Sequence, residues 1–217
     1  MESESNVDVW KISLRPGGGA FWNLNDQEDI EKLRRDLSDF CKEKGILGIG
    51  WSLWGIHSYK EDHNYKEEFD KRSYDDFHEN LIRRHPNISD ITPEQYRDIV
   101  EQDSNYEKYR TKSGKNYKFG KCCYGQIIKI KKGDLVWTRV GDNEFHLGYA
   151  DYGWKYVESY DNARLDICQT IGFNWSASSI PEDKVPETVK TMLKSNFHTV
   201  QHVKAGAEET KALINQN

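Results

Sequence analysis

Seven tryptophans stand in a chain of 217 residues that is only 36% hydrophobic by residue type, and four of them sit where strand packing alone does not call for them. Trp22 and Trp54 lie in or beside glycine-rich or polar turns, Trp51 ends the run Gly48-Ile49-Gly50-Trp51, and Trp175 closes Phe173-Asn174-Trp175. Indoles at strand ends around the mouth of a small barrel are where a planar or cationic ligand is stacked. A second feature points to phosphate. The formal net charge is −5, yet between Asp103 and Arg139 ten Lys or Arg face only three acids, Asp103, Glu107 and Asp134. A basic stretch on an acidic chain marks a candidate phosphate-facing side, with Lys115, Lys118, Lys121, Lys131, Lys132 and Arg139 as its contacts. Stacking indoles beside such a stripe suit a nucleotide or a nucleic acid.

The templates of catalysis are missing. The sequence contains no GxSxG, GxxxxGK[ST] or HExxH, and no GxGxxG with an acid at the right distance. Cys41, Cys122, Cys123 and Cys168 form no CxxC pair and no histidine lies near them at ligand spacing, so neither a structural zinc nor another cofactor is expected. An enzyme acting on a base would need Asp134, Asp166 or His146 as its acid or base, and spacing supplies them with no nucleophile, metal set or paired carboxylate. Gly17-Gly18-Gly19 has the look of a phosphate cradle, but a lone glycine run reads first as a turn.

The elements that must position these residues follow from periodicity. Val7–Leu14 alternates as a strand and is stopped by Arg15-Pro16 and three glycines. Asn25 or Asp26 can cap a helix with Ile30, Leu33, Leu37, Phe40 and Cys41 on one face; Gly45 ends it, and a short buried strand runs from Ile46 to Trp51. Residues 58–117 are charged and Tyr-rich, with helical patterns at Tyr74–Arg83 and, after the Thr92-Pro93-Glu94 start signal, Pro93–Val100; this stretch reads as a helical insertion that could also dock another subunit. Five strands are then expected, at Gly125–Ile130, Leu135–Val140, Glu144–Tyr152, Tyr156–Tyr160 and Arg164–Trp175, as a meander closing into a barrel. A helix at Pro186–Leu193, a closing strand at Thr199–Val203, and a tail or linker over 204–217, in which Ala205–Asn217 reads as a solvated helix or the start of a linker, complete the chain.

This order of elements resembles the YTH and EVE branch of the PUA-like superfamily, as found at the front of modification-dependent restriction and other prokaryotic defence proteins. The resemblance covers Val7 to Val203 and rests on Val9-Trp10-Lys11-Ile12 before a Gly-Gly loop, on Gly48-Ile49-Gly50-Trp51, on Lys131-Lys132-Gly133-Asp134-Leu135-Val136, and on Leu147-Gly148-Tyr149. It implies an α+β fold, a small PUA-like β-barrel flanked by helices and carrying the insertion, with residues 1–6 frayed. It also implies a function: a flipped, modified base is accepted in an aromatic cage. By position Trp51 and Trp175 look like the cage residues, Trp54 and Trp22 like further walls, and the loop with Ser13, Arg15, Gly17 and Gly18 like the stretch that touches the base edge. The implied partners are a nucleic acid carrying a modified base, DNA before RNA, and an effector nuclease or NTPase subunit or domain.

The physical expectation stands beside the resemblance. A base leaving its stack costs a few kcal/mol, and stacking on indoles returns about 1 to 3 kcal/mol per base, so phosphate contacts must supply the rest. The alternatives are a sensor of a small nucleotide or modified nucleoside, and an interaction module of a defence complex. With no run of 18 apolar residues and no signal-peptide pattern at the start, no membrane partner is expected and a cytoplasmic location is.

Overall fold

β1 (Val9–Ile12) is buried at every position because both of its faces are covered. It sits inside a four-stranded sheet of order β4-β3-β1-β7, formed with β3 (Leu135–Val140), β4 (Glu144–Tyr149) and β7 (Val200–His202). β1 runs parallel to β3, with Val9 opposite Leu135, and antiparallel to β7, while β3 and β4 form an antiparallel hairpin. A second sheet of order β2-β6-β5 joins β2 (Ile46–Ile49), β5 (Lys155–Tyr156) and β6 (Gln169–Gly172). The Asn174 N–H donates to the Tyr149 carbonyl (2.9 Å) and the Asp151 N–H to the Gly172 carbonyl (3.2 Å), which stitches the two sheets at one corner. Between them Trp10, Ile12 and Val136 meet Leu47, Ile49, Ile171 and Phe173 in one apolar core. The computed structural model describes residues 7–14, 27–57, 71–103, 124–141, 143–195 and 199–214, and across these the protein is a mixed α+β structure with two small sheets.

Helices cover the remaining faces. α1 (Gln27–Lys44) buries Leu33, Leu37 and Cys41 against Ile46, Leu165 and Ile167, and it ends at Gly45, whose φ of +62° suits a residue without a Cβ. α2 (Leu53–His57) follows β2. From the expected insertion come α3 (Lys71–Arg84) and α4 (Pro93–Gln102), which pack Tyr74, Phe77, Leu81, Tyr96 and Val100 over the end of β2. Thr92 caps α4 in a reciprocal box with Gln95, and Pro93 fills the first turn, where no N–H is needed. α7 (Glu187–Lys194) and α8 (Ala207–Ile214) cover the outer face of the first sheet. The C-terminal stretch is a helix, one of its two expected forms, but it packs on the sheet instead of standing in solvent, and the Trp137 indole N–H donates to Thr210 Oγ1 at 3.0 Å.

Several expectations are corrected. Gly125–Ile130 is not a strand: it is α5 (Tyr124–Ile127) and a turn, in which Ile127 and Ile130, three residues apart, reach the core together. The expected strands Tyr156–Tyr160 and Arg164–Trp175 shrink to β5 and β6 around α6 (Tyr160–Arg164), which Ser159 caps by accepting from the Asn162 N–H. The strands do not form a five-stranded meander, because β1 is inserted beside β3 and the later strands divide between two sheets.

Candidate functional site

The Gly-Ile-Gly-Trp end of β2 is shaped by what lies against it. An ideal Cβ on Gly50 would sit 2.4 Å from Asp166 Oδ1, so only glycine lets the chain pass the Asp166 carboxyl. The next residue, Trp51, has φ +69°, and Asp166 itself has φ +52°; these are the two non-glycine residues with positive φ among those described. They face one another, and the Trp51 N–H favours the charged form of the Asp166 carboxyl. The Trp51 carbonyl in turn accepts from the Tyr96 hydroxyl at 2.6 Å and from Gln169 Nε2 at 3.1 Å. Left-handed backbone at a bulky residue costs about 1 to 2 kcal/mol. Two hydrogen bonds at roughly 1 kcal/mol each offset that, so the strained turn is held as one conformer.

Gln169 does a second job. It is fully buried, and its Oε1 accepts the indole N–H of Trp154 at 2.8 Å, so one amide orients two tryptophans. Trp51, Trp54 and Trp154 are all half-buried and pack against the same aromatic cluster. The Trp54 ring meets Tyr74 and Phe77 edge-on, while Trp154 lies beside Tyr96 and Tyr124.

Beneath this cluster is a second buried acid. Glu158 accepts from the Leu53 N–H at 2.8 Å and from the Tyr156 hydroxyl, with the Trp54 N–H also favouring its charged form, so it holds the start of α2 and with it the Trp51–Trp54 segment. Burial nevertheless dominates and pushes the Glu158 carboxyl up to about 8, and it pushes Asp166 up to about 6. Two buried acids with raised pKa values, of which Glu158 is neutral at physiological pH, under a strained tryptophan have the character of a functional site.

The structure brings Trp51 and Trp54 together and leaves Trp175 elsewhere. Antiparallel pairing sets Ile49 opposite Gln169 and Ile46 opposite Gly172, so Trp51 lies past one end of this ladder and Trp175 past the other. At about 3.3 Å per residue they are on the order of 20 Å apart, too far for one base to be held between them. Trp175 instead donates to the Cys41 carbonyl (3.1 Å) and packs edge-on against Phe173 and His146. Trp22, Arg15, Gly17, Gly18, Lys115, Lys118 and Lys121 lie outside the described residues. Ser13 is buried, accepting from Lys11 Nζ at 3.2 Å and donating its N–H to the Thr199 carbonyl.

Lys131 and Lys132 are exposed on the turn that precedes β3, whereas Arg139 is half-buried. Asp134 closes that turn: its carboxylate accepts from the Lys131 N–H (2.9 Å), the Trp10 indole N–H (3.0 Å) and the Asp8 N–H (3.2 Å). The Lys-Gly-Asp motif therefore pins β3 to β1 through Trp10. Ile130, next to Lys131, places its carbonyl 3.0 Å from where Gly153 would carry a Cβ, so the basic turn borders the Trp154 segment.

Sequence reasoning missed Trp154, Gln169, Tyr96, Tyr156 and Glu158. The available signal was Glu158 itself, an acid alternating with Tyr156 and Tyr160 on one side of an apolar stretch. Among the described residues no group of three or more His, Cys, Asp or Glu is arranged to hold a metal, and no helix is long and apolar enough to cross a membrane. No family model, curated protein or solved structure matches the chain.

Proposed function

We propose that this protein is a modified-base reader of the PUA-like kind, taking a base extruded from DNA, or with lower preference from RNA, at the Trp51 end of β2, and serving as the recognition part of a defence system. The observation that carries the reading is the Trp51 turn: a half-exposed indole in left-handed backbone, fixed by Tyr96, Gln169 and Asp166, with Trp154 oriented by the same Gln169. A rigid indole loses little entropy on stacking a base, which is how a pocket without charge pairs gains affinity. In this reading the two sheets act as the PUA-like barrel, and Lys131 and Lys132, bordering the Trp154 segment, meet the backbone phosphates. The neutral Glu158 spares the floor of the site one negative charge that would repel the strand, and the Asp166 carboxyl faces the Trp51 N–H.

The test is binding to matched DNA and RNA oligonucleotides, each unmodified or carrying 5-methylcytosine, 5-hydroxymethylcytosine or N6-methyladenine, followed by tryptophan fluorescence. The reading predicts a preference for one modified member of tens to a few hundred fold, because one added methyl group is worth about 1 to 3 kcal/mol in a fitted pocket. Equal or absent binding across the panel contradicts it. Lys131→Glu with Lys132→Glu separates a polymer reader from a nucleoside sensor: a reader loses affinity and about two units of its salt slope, and a sensor loses neither.

A further inference from the structure

Glu158 sits where a negative charge is poorly served. Its side chain is buried, its Oε2 accepts from the Leu53 N–H at 2.8 Å and from the Tyr156 hydroxyl, and its Oε1 is buried with no hydrogen-bond partner among the described residues. The Leu53 N–H is itself shared, because it also reaches the Tyr156 hydroxyl oxygen at 2.9 Å. One oxygen thus competes for its donors and the other has none, which suits a neutral carboxyl and leaves a carboxylate short of hydrogen bonds. Once the group ionises, water is the donor it lacks.

The groups around it supply no countercharge among the described residues. α3 faces it with Tyr74, β5 with Tyr156, and the approach to β6 with Asp166 and Cys168. Burial pushes the Tyr74 hydroxyl and the Cys168 thiol up, so both stay neutral where Glu158 titrates. Asp166, raised to about 6, is already charged there and opposes a second charge. The cations of the flanking helices are tied to other acids: Lys71 on α3 bonds Asp75 at 2.7 Å, Arg164 on α6 lies 3.9 Å from Asp161, and His57 on α2 lies 3.1 Å from Asp103 at the end of α4. Lys155 on β5 stands over the Tyr152 ring, and His78 is stacked against Tyr74 at 5.5 Å.

The wall that yields is set by the donors. The Leu53 and Trp54 N–H groups that serve the carboxyl belong to the five-residue α2, which the Trp51 turn leads into. Trp51 and Trp54 are half-exposed, whereas Tyr74, Tyr156 and Cys168 on the other sides of the acid are buried. Water therefore reaches the carboxylate by displacing the Trp51–Trp54 segment, and the left-handed backbone of Trp51, φ +69°, relaxes as the segment moves.

We infer that the proton on Glu158 is a switch for the Trp51 site: while the carboxyl holds it, the Trp51–Trp54 segment is closed over its floor and binds, and when the proton leaves, the segment opens to let water in and loses its binding position. For its ligand the inference rests on base reading at Trp51. The movement itself belongs to the free protein.

The experiment has two readouts on the full chain, taken from about pH 7 to pH 9, above the range of Asp166. The first is tryptophan emission of the free protein. The wild type should show a transition centred near pH 8 that Glu158→Gln lacks. Tyr156→Phe, which keeps the acid and removes a donor to its charged form, should move the transition to higher pH. The second is affinity for DNA strands of adenine and cytosine alone, carrying N6-methyladenine or 5-methylcytosine, since these bases do not titrate in this range. The wild type should bind roughly tenfold more weakly at pH 9 than at pH 7, and Glu158→Gln should show no such ratio between its own two values. A wild type without the emission transition overturns the inference, as does a transition that Glu158→Gln retains or Tyr156→Phe leaves in place, or a wild-type affinity equal at both pH values. An emission transition that behaves as expected in a protein that binds neither strand at any pH upholds the switch and contradicts base reading instead.

Discussion

Replacing Glu158 with Gln gives a prediction whose size follows from burial. In the folded protein the Glu158 carboxyl is raised to about 8, against an ordinary value of 4.5. Between these values the folded state holds a proton that the unfolded chain has released, so stability falls as pH rises through the window and is largest on its acid side. From pH 6.5 to pH 8 this one group removes about 1.5 kcal/mol, since each unit of mismatch is worth 1.36 kcal/mol and the group is half ionised at the upper limit. For a chain of this length that is a fall in melting temperature of roughly 3 to 6 °C. His85 and His146, whose pKa values are lowered from 6.5, oppose this slope slightly near pH 6.5, and they do so equally in both proteins, so they cancel in the comparison. Asp166, raised only to about 6, adds to the same slope mainly below this range. The assay is urea unfolding at pH 6.5, 7.2 and 8.0 for wild type and Glu158→Gln. The wild type should lose stability across the series and the variant should lose about 1.5 kcal/mol less. Parallel slopes for the two proteins, or a wild type that gains stability toward pH 8, would refute the assignment of a neutral buried acid beneath the Trp51–Trp54 segment.

Other consequences can be checked by the same unfolding assay. Asp134→Ala strips the acceptor from the Trp10 indole and from the Lys131 and Asp8 N–H groups, and should cost about 3 kcal/mol, whereas an ordinary surface substitution stays within about 0.5 kcal/mol. Gly50→Ala drives a methyl to 2.4 Å from the Asp166 carboxyl and should cost about 1 to 3 kcal/mol by overpacking, with the oligonucleotide affinity falling because Trp51 is displaced. Thr210→Val leaves the Trp137 indole N–H without its acceptor and should cost about 1 to 3 kcal/mol; an unchanged urea midpoint would show that α8 is not latched to the first sheet.

Local pattern was informative wherever the deciding interactions were local. α1 follows from the three-and-four spacing of Leu33, Leu37 and Cys41, α4 from the Thr92 and Gln95 box, and β3 from a buried run ended by a Gly-Asp turn. The β-branched run around Ile127, Ile128 and Ile130 reads as a strand, yet among the described residues it pairs with none, and a helical turn buries Ile127 and Ile130 equally well. The placement of the tryptophans is a non-local matter. Trp51 could be read as a strand-end indole, but that Trp175 lies at the other end of the ladder depends on the β2–β6 register, which the local sequence does not encode. Likewise Trp154 joins Trp51 through Gln169, and Trp51 is held in part because α4 brings Tyr96 across from the insertion. The insertion, which the sequence offered as a docking element, turns out to supply part of the scaffold of the candidate site.

The central claim is that Trp51 stacks the base, and the most direct measurement is the affinity of Trp51→Ala for whichever modified oligonucleotide the wild type prefers, set against its unmodified counterpart. Loss of one indole platform should weaken the modified strand roughly tenfold to a hundredfold, the equivalent of about 1 to 3 kcal/mol, and remove the preference over the unmodified strand while the salt dependence from Lys131 and Lys132 persists. An unchanged preference in a folded Trp51→Ala protein would contradict the account.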